Sequence, residues 1–149
     1  MNRKAHRFTV LLLALSLIGP GLIGAQGQGG VAGRLSAGYN WLEQGKFDQA
    51  QKVFEEVLRQ DPGHPLALNN LAAIMVKKGN YDQALACLKR ALPRSKGFRV
   101  ALNRVCNVDG VCAACRMDDE QFGSEELEGV VKSNILMVEM ARSSRPGKK

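Results

Sequence analysis

Gly45-Lys-Phe-Asp-Gln-Ala50 returns 34 residues later as Gly79-Asn-Tyr-Asp-Gln-Ala84. In the same frame Trp41 lines up with Met75, Gly38 with Ala72, Phe54 with Leu88 and Leu58 with Leu92. A unit of this length that carries apolar residues on helical spacing cannot bury them alone, so it must stack on a neighbour of its own kind. The echo therefore predicts an all-α chain: a short α-solenoid built from helix-turn-helix units.

Helical periodicity locates the elements. Leu35, Gly38, Tyr39, Trp41 and Leu42 precede the turn at Gly45-Lys46, and Ala50, Val53, Phe54, Val57 and Leu58 continue at i, i+3, i+4, i+7 and i+8. Asp61-Pro62-Gly63 stops the second helix, because proline cannot extend it and disfavours helical angles in the residue before. Pro65 suits the first turn of the next helix, where Leu68, Leu71, Ala72 and Met75 form the inward stripe. Tyr81 to Leu92 follows, and Pro93 ends it. The frame survives a third time, since Ala101-Leu-Asn-Arg-Val-Cys106 falls 34 residues after Ala67-Leu-Asn-Asn-Leu-Ala72. A third first helix is expected over residues 97–108, and the register collapses at Asp109-Gly110. Beyond a Cys-containing loop at 109–123, Ser124 is expected to cap a final helix over 124–142, with Glu125 and Glu126 in its first turn. Its stripe of Leu127, Val130, Val131, Ile135, Val138 and Ala141 suits a capping helix over the open end of the array.

The two ends differ from the body. Arg3, Lys4 and Arg7 precede an apolar run from Phe8 to Ile18, and small residues at Gly24-Ala25 suit cleavage, so residues 1–25 read as a signal peptide. The competing reading is an uncleaved anchor, the one route by which this chain would touch a membrane; against it, the run is shorter than the roughly 20 residues a span needs. Residues 26–33 form a Gly-rich lead, and 143–149 a basic, disordered tail. Of the formal charge of +7, the signal carries Arg3, Lys4 and Arg7, and the C-terminus adds Arg142, Arg145, Lys148 and Lys149. The body is near neutral, without a basic face interleaved with aromatics, so nucleic acid is not the expected partner.

The repeated residues resemble the tetratricopeptide repeat family over about Val31 to Val108. The second unit supplies Leu68, Leu71, Ala72, Met75, Tyr81, Ala84, Leu88 and Ala91. The first supplies Gly38, Trp41, Phe47, Ala50, Phe54 and Pro62, but carries Arg34 and Ala37 where the family pattern has a large residue and Leu. The resemblance implies about two and a half repeats, no enzymatic activity, no cofactor, and a protein or peptide partner held along a groove lined by the first helices. Transferred position by position, the groove holds Leu35, Tyr39 and Leu42, then Asn69, Asn70, Ala73, Val76 and Lys77, then Asn103, Arg104 and Asn107. Family members that clamp a C-terminal carboxylate do so with two Lys, two Asn and an Arg. Only Asn70 and Arg104 match that set, while Leu35, Tyr39 and Val100 fill the other positions, so an extended peptide or a helix is the expected ligand. Exported proteins with a few such repeats resemble accessory subunits of bacterial envelope machinery, which makes an envelope scaffold the expected role.

Of the four cysteines, Cys87 lies in the second repeat and Cys106, Cys112 and Cys115 form a cluster that the repeat pattern does not predict. In an exported chain they are candidates for disulfides, with three full pairings open. Two other readings compete. Cys112-Ala-Ala-Cys115 could exchange disulfides, although that motif normally accompanies a strand-helix unit and none is expected here. The Cys106/Cys112/Cys115 cluster could hold zinc with a fourth ligand, although His64 reads as a turn residue and His6 lies in the signal. Arg116 excludes c-type haem attachment, which needs His there. No nucleophile elbow, phosphate loop or histidine pair suggests catalysis.

Overall fold

The computed structural model of the chain describes residues 30–101, 110–112 and 124–144. The expected signal segment, most of the Gly-rich lead, most of the basic tail, Asn103, Arg104, Asn107, Cys106 and Cys115 lie outside the described residues. Four helices alternate in two hairpins: α1 (Val31–Glu43), α2 (Phe47–Gln60), α3 (Pro65–Lys77) and α4 (Tyr81–Ala91). A single 3-10 turn, Leu92–Arg94, follows, then strands β1 (Arg99–Ala101) and β2 (Ser124–Glu126), and last α5 (Leu127–Ser143).

The glycines that open the sequence echo sit where only glycine is comfortable. Gly45 has φ +69° and Gly79 φ +77°, the left-handed region that costs other residues about 1 kcal/mol or more. Each ends a helix in the same pattern. Lys46 N–H reaches Trp41 C=O at 2.8 Å, and Asn80 N–H reaches Met75 C=O at 2.8 Å, closing the six-residue bond of a Schellman motif. Inside the first hairpin, Gly38 lets α1 and α2 approach: a Cβ there would stand 2.7 Å from the Phe54 ring. Phe54, Ala50 and Val57 are buried on α2, and Ala84, Leu85, Leu88 and Ala91 on α4. Helix α3 is the centre of the stack, buried from Pro65 to Val76. His64 caps it, its Nδ1 accepting from Ala67 N–H at 3.4 Å, and its ring meets Phe98 edge-on at 5.7 Å.

The expected third first helix over residues 97–108 is not formed at its start. Gly97 takes φ +72°, and Arg99–Ala101 is a strand paired antiparallel with Ser124–Glu126. Left-handed backbone at Gly97 breaks helical continuation, and Val100 buries its side chain completely in the extended form. The same pairing corrects the start of the last helix. Ser124, Glu125 and Glu126 belong to β2, so α5 begins at Leu127, whose N–H bonds Phe98 C=O at 2.8 Å.

The third unit nonetheless has a first helix, and α5 supplies it. α5 packs chiefly on α4 and touches α3, the relation that α3 bears to α2 and α1. Repeat-equivalent ion pairs mark the same correspondence. Lys78, at the end of α3, reaches Asp48 in the first turn of α2 at 2.7 Å; Arg142, near the end of α5, reaches Asp82 in the first turn of α4 at 2.9 Å. Asp48 and Asp82 are the same position of the echo, 34 residues apart. The result is an all-α solenoid closed by a C-terminal helix, with a short two-stranded pairing leading into it.

Candidate groove along α1, α3 and α5

The expected groove residues are Leu35, Tyr39 and Leu42 on α1 and Asn69, Asn70, Ala73 and Val76 on α3. Every one of these seven is buried, none more than 3 % exposed. Lys77, at the far end of α3, is exposed. The structure thus places the expected groove residues of α1 and α3 beneath other parts of the molecule rather than on an open surface.

Part of what covers them is the chain's own backbone. Asn69 Nδ2 donates to Cys112 C=O at 3.0 Å and to Asn70 Oδ1 at 3.2 Å. Asn134, from α5, grips the same residue at both ends: Cys112 N–H donates to Asn134 Oδ1 at 2.8 Å, and Asn134 Nδ2 donates to Cys112 C=O at 2.9 Å. Asn134 Nδ2 also donates to Asn69 Oδ1 at 2.9 Å, which links α3 to α5. Both hydrogens of each of these two carboxamides are used, and both carboxamide oxygens accept. Buried amides cost about 1–3 kcal/mol each when left unsatisfied, so a complete network of this kind fixes a single arrangement.

The chemistry of this site is that of backbone recognition. Two neutral side chains read the N–H and C=O of one residue, Cys112, and none of these hydrogen bonds involves that residue's side chain. The buried polar residues of the described chain are Asn69, Asn70, Ser95 and Asn134, all uncharged. A carboxylate or phosphate would meet no charge complement there, which agrees with the mismatch to the carboxylate-clamp pattern. Gly110 approaches α5 closely, since a Cβ there would lie 3.0 Å from Met137 Cε, and its φ of +89° calls for glycine.

Asn69 and Asn70 stand at groove positions of the repeat pattern, whereas Asn134 stands at none. Its signal is present all the same, as an amide inside the apolar stripe of Val130, Val131, Ile135 and Val138. An asparagine in such a stripe must find buried partners. Of the cysteines, Cys87 is a thiol in this structure. Burial on α4 pushes the Cys87 thiol up from its ordinary pKa, against a smaller opposing pull from Arg90, which disfavours the thiolate needed for exchange chemistry. Among the described residues no group of three His, Cys, Asp or Glu is placed to hold a metal ion, and no helix is long and apolar enough to cross a membrane.

A family model for the tetratricopeptide repeat matches residues 42–102. Comparison with curated proteins and with solved structures gave no match. The match spans the end of α1, the whole of α2, α3 and α4, and the glycine turns that the echo repeats. By sequence model and by helix packing together, residues 42–102 are similar to the tetratricopeptide repeat, whose repeats generally mediate protein–protein interaction.

Proposed function

We propose that this protein is a non-enzymatic interaction module, exported to the bacterial envelope, which holds a short extended segment of a partner protein in the groove between α3 and α5. The observation that carries this reading is the grip of Asn69 and Asn134 on the backbone of Cys112. Those amides recognise any extended residue by its N–H and C=O, and the chain's own Gly110–Cys112 segment occupies the place a partner strand would take. Binding then proceeds by exchange: the partner's backbone replaces the internal segment bond for bond, so little hydrogen-bonding energy separates the two states. The charged N-terminal start and apolar run support export.

Capture from a bacterial envelope fraction tests the reading. Wild type and Asn69→Ala are used as bait, with circular dichroism to show that both are folded. Asn69→Ala should retain helicity and lose the captured partner. Equal capture by both proteins would show that the groove amides play no part in binding.

A further inference from the structure

The large apolar side chains exposed in the described chain all lie on α5: Leu136, Met137 and Met140, at 62 %, 42 % and 67 % exposure. α1 is covered by α2 and α3 by α4, but no described helix follows α5, and among the described residues nothing covers its outer face. That face has a pattern. Gly129, Ser133, Leu136 and Met140 are all exposed and recur at alternating spacings of four and three residues, the seam spacing of paired helices. At Gly129 the space is open, since a Cβ there would meet nothing within 4 Å.

The geometry points to a second copy of this chain as the occupant, its α5 laid antiparallel on the first. In an antiparallel pair each large residue meets a position of the partner from the other half of the seam. One register sets Met140 of one protomer over Gly129 of its partner and Leu136 over Ser133, large on small at every layer and twice by symmetry. The same register brings Lys132 of one protomer beside Glu139 of the other, again twice. These two residues are solvent-facing, in surface pairs with Glu128 at 2.6 Å and Lys89 at 4.0 Å that can share a partner. Sliding to the next register puts Leu136 over Met140 and sets Glu139 against Glu139, so both size and charge choose the first. A parallel pair would stack Met140 on Met140 and Gly129 on Gly129, leaving a bulge and a gap. The contact is isologous and closes as a dimer. A seam one 17-residue helix long lies at the low end of stable interfaces, so the dimer should form and dissociate with concentration.

Sedimentation velocity of the purified chain in reducing buffer, across the micromolar range, tests this independently of the groove. Wild type should pass from the mass of one chain to that of two. Gly129→Leu fills the notch that receives Met140 while improving helix propensity, so it should keep its helicity and weaken association by about tenfold or more. Lys132→Glu alone should weaken association, and Lys132→Glu with Glu139→Lys should restore it. A wild type that stays monomeric throughout, assemblies larger than two, or a Gly129→Leu protein that dimerises like wild type would each overturn the inference.

Discussion

Replacing Asn134 by alanine strips the groove of its central side chain, and the consequences follow from the hydrogen bonds it makes. Cys112 N–H loses its acceptor at 2.8 Å and Asn69 Oδ1 loses its donor at 2.9 Å, while Cys112 C=O keeps Asn69 Nδ2 at 3.0 Å. If both orphaned groups stayed buried, the cost would be about 2–6 kcal/mol at about 1–3 kcal/mol each. The Gly110–Cys112 segment can instead lift and let water in, which caps the loss near the lower end, about 2 kcal/mol. That corresponds to roughly a thirtyfold shift in the folding equilibrium and a fall in Tm on the order of 10 °C for a domain this small. Urea unfolding of wild type, Asn134→Ala, Asn69→Ala and the double variant measures it. The two substitutions should be non-additive by about 1 kcal/mol, because each removes a bond the other shares. Asn134→Asp refines the test at constant volume. Its carboxylate would face two acceptors, Cys112 C=O and Asn69 Oδ1, so its folded pKa should be raised above the unfolded value of about 3.9. Stability should then be low at neutral pH and return as pH falls through the folded pKa, being complete below the unfolded one. A loss under about 0.5 kcal/mol for Asn134→Ala, with strict additivity, would refute the network as a structural determinant.

Three further outcomes are expected. Gly38→Ala places a methyl 2.7 Å from the buried Phe54 ring; overpacking of about 1–3 kcal/mol should outweigh a helix-propensity gain of about 1 kcal/mol, giving a net loss in thermal denaturation. Asp61 is held below the ordinary carboxylate range by its hydrogen bond to Arg94, helped by Gly63 N–H and opposed by partial burial. Its contribution is present above the unfolded pKa and lost as pH falls through the folded one, so Arg94→Ala should flatten the decline of the urea midpoint between roughly pH 5 and pH 2. Asp82→Asn removes the exposed pair with Arg142 and should cost well under 1 kcal/mol in urea unfolding, because α5 is held by packing rather than by charge.

The sequence was most legible where local chemistry and packing asked for the same residue. Gly45 and Gly79 are fixed by left-handed turns and Gly38 by close helix approach, and the 34-residue frame carries all three. It misled where the frame outlasted the structure. Ala101-Leu-Asn keeps the repeat pattern, yet Gly97 and the long-range pairing of Arg99–Ala101 with Ser124–Glu126 override it. A pairing across more than twenty residues leaves no periodic trace in either partner. Helix α5, whose apolar stripe predicts a C-terminal helix closing the array, also packs on α4 as α3 packs on α2. The burial of Leu35, Tyr39 and Leu42 on α1 and of Ala73 and Val76 on α3 accords with the apolar spacing of the repeat. The coverage of Asn69 has no such signal, since it depends on Cys112 and Asn134 meeting Asn69 across distances no local pattern encodes.

The amide proton of Cys112 offers the most direct test of the central claim, that two buried asparagines hold an extended backbone in the repeat groove. Its hydrogen exchange can be followed by NMR in wild type and in Asn69→Ala. The expected result is strong protection in wild type, since this N–H donates to a buried Asn134 oxygen at 2.8 Å, and faster exchange in Asn69→Ala as the grip loosens. Exchange in wild type at the rate of a solvent-exposed amide would contradict the account.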